Sequence, residues 1–139
     1  MKLRFVLALG LALGLVGCNS ATSVDAGPAA QSKIALQEAG ELYRLFVATK
    51  QKAPTGIESF RGSQAIAPIG YQAIKDGSIV VRWGTVLKDT SEEGSNDSAE
   101  KVLAYEKAVP DQGGQVLMEN RTVRTMTAAE FQAAPKAGN

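Results

Sequence analysis

QSKIALQEAGELYRLFVATKQK, residues 31–52, decides the architecture. Ala35, Leu36, Ala39, Leu42, Tyr43, Leu45, Phe46 and Val47 recur at three- and four-residue steps, and Lys33, Gln37, Glu41, Arg44 and Lys50 fill much of the remainder. That period predicts one amphipathic helix with a broad apolar face. Gln31 or Ser32 lies near its start, and Pro54 with Gly56 ends it. Gly40 inside it costs about 1 kcal/mol relative to Ala, which points to a close contact at that position. Such a face packs into a core, and Tyr43, Phe46 and the later Phe60 read as core residues.

Downstream the period changes. Thr55 to Gly77 is broken by Gly56, Gly62, Pro68, Gly70 and Gly77, so it reads as turns with a helical turn or two around Ile69 to Lys75. SIVVRWGTVL, residues 78–87, is rich in β-branched and aromatic residues and predicts a strand, with Gly84 as a bulge. KDTSEEGSNDSAE, residues 88–100, is a polar loop, and KVLAYEK, residues 101–107, reads as a second strand, although by itself it also suits a helix. VPDQGG, residues 109–114, reads as a turn. Gln115 to Glu119 and Thr122 to Met126 form a hairpin around Asn120-Arg121, where Arg121 is a poorer turn residue than Gly. Thr127-Ala128-Ala129-Glu130 matches a capping box and opens a closing helix to Ala133. The expected fold is α+β: a long N-terminal helix packed on a small antiparallel sheet of three to four strands, then a short C-terminal helix. A single-sided sheet must cover its apolar face, and the long helix is its cover. Residues 31–135 are expected to form a single domain, and residues 136–139 a frayed tail.

Upstream, Lys2 and Arg4 precede an apolar run, Phe5 to Gly17, closed by Leu15-Val16-Gly17-Cys18. About thirteen residues rise roughly 20 Å as a helix, against a hydrocarbon core of about 30 Å, so a full span is not expected. The order of cationic start, apolar run and small residue before cysteine follows a signal-peptide plan. It resembles a bacterial lipoprotein signal peptide with its lipobox. The resemblance implies that residues 1–17 are cleaved and that Cys18 is acylated and becomes the new N-terminus. The membrane is then a partner through lipid on Cys18, and the domain lies in the periplasm or outside the cell. Asn19 in place of Asp leans toward the outer membrane. Residues 18–30, CNSATSVDAGPAA, are small and polar and read as a flexible tether.

The chain of 139 residues carries 15 basic and 14 acidic residues, one cysteine and no histidine. Loss of residues 1–17 removes Lys2 and Arg4 and leaves 13 basic against 14 acidic residues, a net charge of −1. A near-neutral chain without clustered Lys/Arg gives no electrostatic reason to expect nucleic acid. Acylation of Cys18 would leave no thiol for a disulfide, a metal site or a nucleophile. Without histidine there is no Ser-His-Asp arrangement and no imidazole ligand. These absences point away from an enzyme and from a cofactor, and toward a binding or structural module whose partner is an envelope protein or cell-wall polymer.

Two further patterns need weighing. Asp89, Ser91, Glu93, Gly94, Asp97 and Glu100 fit positions 1, 3, 5, 6, 9 and 12 of a calcium loop. An EF-hand needs a helix before the loop, whereas VVRWGTV reads as strand, so a solvated loop is the favoured reading. Trp83 and Tyr105 could make an aromatic platform, although alternating strand residues more often pair within a core. Finally, Val102 to Lys107, Gly113 to Met118, Thr122-Val123-Arg124 and Met126 to Phe131 together resemble the C-terminal segment of planctomycete-type envelope proteins related to type II secretion pseudopilins. That H-X9-DG family has Asp-Gly where Asn120-Arg121 stands here, and a histidine where Pro110 stands. The resemblance covers about a quarter of the chain. It implies a helix packed on an antiparallel sheet and, as an alternative function, an accessory role in a pseudopilin-like apparatus. A lipobox takes the place of the prepilin processing signal.

Overall fold

A computed structural model of the chain describes residues 27–93 and 101–139. The expected signal peptide, Cys18 and most of the tether lie outside the described residues, as do Gly94 to Glu100 of the acidic loop.

Helix α1 runs Pro28–Lys50. It starts three residues before the position read from periodicity, so Pro28, Ala29 and Ala30 belong to the helix and not to a tether. Proline fits the first helical position because its missing N–H has no intrahelical partner there, and two alanines then propagate the helix. At the other end Gln51 turns left-handed at φ 52° and its N–H closes on the Val47 carbonyl. Residues 57–63 form a 3-10 helix, and α2, Pro68–Lys75, begins on a second proline.

Four strands follow, with two short helices among them: β1 Ile79–Val81, β2 Val102–Glu106, α3 Val109–Gln112, β3 Gly114–Met118, β4 Val123–Met126 and α4 Ala128–Ala133. The strands pair antiparallel in the order β1-β2-β3-β4. The α+β class, the long helix on the sheet and the short closing helix are as expected. The Thr127 capping box is fully formed, with Thr127 Oγ1 accepting from the Glu130 N–H and the Glu130 carboxylate accepting from the Thr127 N–H. The hairpin loop is Glu119-Asn120-Arg121. Met118 N–H donates to Thr122 O and Arg121 N–H to Met118 O, at 2.9 and 2.8 Å. Arg121 sits left-handed at φ 67°, the place where a three-residue hairpin loop favours glycine.

The strand read over 78–87 is cut to three residues. Extending the register Val81↔Ala104 by two would set Trp83 opposite Val102. The Val102 N–H and carbonyl are instead bonded to Pro135 O and to Ala137 N–H, each at 2.9 Å, and Trp83 O accepts from Asn139 N–H. The C-terminal residues thus take the ladder position, and Gly84, at φ 86°, turns the chain away. The tail does not fray: Ala137 is fully buried, and Lys136 bridges parallel to Val102.

The sheet is covered on both faces. A bulge at Leu103 puts Leu103 and Ala104 on the face under α1, together with Leu117, Val81 and Ile79. The opposite face carries Val102, Val116 and Met118, which pack with Val109 and Phe131 from α3 and α4. Residues 109–114 are not the bare turn expected: Val109–Gln112 is helical, with Pro110 in its first turn, and the buried Val109 joins this second cluster. Gly40 does mark a close contact, since a Cβ there would stand 3.3 Å from the Leu117 side chain. No helix among the described residues is long and apolar enough to cross a membrane.

Candidate functional site

An open groove of about 740 Å³ lies where the first turns of α1 meet α2 and the end of the sheet. Gln31, Ser32 and Ala35 of α1 form one wall. Pro68, Ile69 and Gln72 of α2 form the other, and Ile79 with Ala108 contributes apolar floor. α2 is held to α1 by a close backbone approach at Gly70, whose N–H donates to Glu38 Oε2 at 2.8 Å. The charges at the groove are Asp76, Glu106 and Lys107. Asp76 Oδ1 accepts from the Ser78 N–H at 2.9 Å, which holds its carboxyl below the usual carboxylate range. Glu106 Oε2 accepts from the Gln115 N–H, and Ser78 Oγ donates to Ala73 O. These polar groups therefore bond to the protein's own backbone.

A second polar cluster lies farther along α1. Arg44 grips Glu41 with two guanidinium nitrogens, one of them Nε at 2.8 Å from Oε2. Its Nη1 donates to Thr90 O at 3.1 Å, and Arg121 donates to Ser91 O while its Nη1 stands 4.0 Å from Glu41. One carboxylate and two arginines thus fix the start of the acidic loop to α1 and the hairpin. The Arg44 hydrogen bond lowers the Glu41 pKa from its ordinary value. A folded-state pKa that is depressed contributes stability above the usual carboxylate range, and that stability is lost as pH falls through the depressed value. Thermal melts should therefore show Glu41→Gln less stable than wild type at neutral pH, with the difference closing in strong acid. The expected size is under about 1 kcal/mol, because the side chain is partly exposed and screened by water.

The calcium-loop reading is only partly within the described residues. Asp89 accepts from both the Ser91 N–H, at 2.8 Å, and the Ser91 hydroxyl, at 3.1 Å, and Glu93 is exposed. Asp97 and Glu100 lie outside the described residues. The segment from Arg82 to Glu93 contains no helix, and among the described residues no group of three acidic, His or Cys side chains is placed to hold a metal ion.

Trp83 and Tyr105 do not make a platform. Trp83 stacks on Phe60 at 5.4 Å in the cluster under α1, whereas Tyr105 packs on Phe131 at 4.7 Å in the cluster on the other face. Tyr43 and Phe60 are buried core residues, Phe46 packs against them half-buried, and the Tyr43 hydroxyl donates to Thr85 O at 2.9 Å.

Sequence reasoning missed the groove, because its walls come from three segments far apart in the chain. The one available signal was an apolar run inside a Gly/Pro-punctuated stretch, Ala65-Ile66-Ala67-Pro68-Ile69. No family model, no curated protein and no solved structure matches this chain.

Proposed function

We propose that this chain is a lipid-anchored protein of the bacterial cell envelope, and that its folded part is a non-enzymatic binding or structural module. The observation that carries the reading is Cys18, the single cysteine, standing at the end of a cationic and then apolar N-terminal run. The fold supports it: α1 begins ten residues after Cys18, and the groove lies beside that first stretch of helix. The partner is an envelope protein or cell-wall polymer that meets the groove. Intact-mass spectrometry of protein extracted from membranes tests the anchor. The expected species begins at Cys18 and carries acyl mass, and Cys18→Ser moves the protein to the soluble fraction. A chain that begins at Cys18 without added acyl mass sinks the reading. Crosslinking in intact envelopes is expected to recover a discrete partner, and a clean monomer without one counts against the reading.

A second reading, an accessory part of a pseudopilin-like apparatus, has one specific support. Arg121 occupies the left-handed position that the family's Asp-Gly would fill with glycine, and the Asn120 side chain accepts from the Thr122 N–H at 3.0 Å as an Asp would. Co-purification with secretion components would favour this reading over the first.

A further inference from the structure

We infer that the outer edge of β4 is a docking edge for an extended, acidic segment of another protein, which adds to the sheet as a further strand with a carboxylate opposite Arg124.

Of the two sheet edges, β1 and β4, the first is closed. Lys107 N–H donates to Ser78 O and Arg82 N–H to Leu103 O, so the alternate residues Ile79 and Val81 turn their backbone groups outward. Both are buried. At β4 the alternation runs from the hairpin. Met118 and Thr122 are a hydrogen-bonded pair, so Arg124 and Met126 also face β3, and the N–H and carbonyl groups of Val123 and Thr125 point away from the sheet. Among the described residues nothing bonds to these four groups. Arg124 and Thr125 lie on opposite faces of the sheet, yet both are exposed, so neither α1 nor α4 reaches around the strand.

Unpaired strand backbone is met by another strand. A second copy fits poorly. Laid antiparallel, with Val123 against Thr125 of that copy, it would set the two Arg124 side chains directly opposite each other, and like charges there repel. A shift of register in either direction runs the ladder into Arg121 or Thr127, whose N–H groups are already held by Met118 O and the Glu130 carboxylate. A different chain escapes both conflicts. Arg124 makes no ion pair among the described residues. It falls at a non-hydrogen-bonded position of the added ladder, where facing side chains stand closest, so a carboxylate opposite it makes the best cross-strand contact. On the other face Val123 packs against the core under α1 with Thr125 two residues on, which suits β-branched residues on either side of that carboxylate.

The test titrates the isotope-labelled full chain in mild detergent with the capped peptides Thr-Val-Glu-Val-Thr and Thr-Val-Lys-Val-Thr, followed by amide NMR shifts. Shifts confined to residues 122–127 are expected, with the Glu peptide bound at least about threefold more tightly than the Lys peptide. Arg124→Glu should reverse that preference, which a damaged fold cannot do. Thr125→Pro removes one outward N–H and leaves the bonds to β3 in place. It should weaken the Glu peptide about fivefold or more with the thermal melt kept. Equal affinity for the two peptides, no shift with millimolar peptide, or shifts at the groove in place of β4 would each overturn the inference. Shifts at 122–127 that follow protein concentration without peptide overturn it in favour of a second copy. All of these outcomes leave the acyl anchor standing, because the edge does not depend on Cys18.

Discussion

Gly70→Ala is expected to lower the stability of the domain by about 3 kcal/mol or more, although alanine is the better helix former. A Cβ at position 70 would stand 2.6 Å from Glu38 Cβ, 2.7 Å from the Ala39 nitrogen and 2.8 Å from the Glu38 carbonyl carbon. Backbone supplies two of those three contacts, so no change of rotamer relieves them. The remaining response is to push α2 away from α1, which lengthens the Gly70 N–H bond to Glu38 and opens the groove wall. Thermal unfolding followed by circular dichroism should show a fall of more than about 10 °C. Gly40→Ala is the internal comparison. Its Cβ would meet the Leu117 methyl groups at 3.3 and 3.4 Å, a side chain that can shift, while helix propensity improves by about 1 kcal/mol. Its net effect should stay within about 1 kcal/mol. A Gly70→Ala protein as stable as wild type would mean that the two helices do not approach as closely as described.

Removal of residues 135–139 is the second large effect. It deletes the Pro135 O and Ala137 N–H partners of Val102, the Ala137 O partner of Arg82 and the Asn139 N–H bonded to Trp83 O. Val102 is fully buried, so its backbone groups would lose partners inside the fold. An unsatisfied buried backbone group costs about 1–3 kcal/mol, and two of them with the buried Ala137 lost add to about 4 kcal/mol. Urea unfolding should show that loss, and hydrogen exchange should show the Val102 amide changing from slow to fast. Gly138→Ala probes the same seam with one atom: at φ +55° its Cβ would lie 1.8 Å from Trp83 O. It should release the tail without removing any residue. A truncated chain with an unchanged midpoint would show that the tail contributes nothing.

Where local chemistry was strong, the chain was legible. The apolar stripe of α1, the Thr127 capping box and the β3–β4 hairpin each depend on residues within a few positions of one another. Even the awkward Arg121 was visible as a turn residue that glycine would suit better, and its left-handed φ bears this out. The candidate site was far less legible. Its nearest sequence signal was the apolar run from Ala65 to Ile69, whereas Gln31, Gln72 and Glu106 look like ordinary surface residues until α1, α2 and β2 are brought together. The polar cluster of Glu41, Arg44 and Arg121 was equally hidden, because two of its members lie on one helix and the third on a hairpin far along the chain.

By itself the sequence determined the long helix, the antiparallel strands with their order, the capped closing helix and the α+β class, because propensity, capping and periodicity act over a turn or a strand pair, but it did not show helix α3. Only the tertiary structure decided where β1 stops, which face Leu103 takes and whether the last residues are held. Trp83 has a strand former's side chain, yet the Val102 backbone can satisfy only one neighbour, and the tail occupies it. That competition between two distant segments for one pair of backbone groups is settled by packing, with Ala137 buried against the core, and no local pattern encodes it.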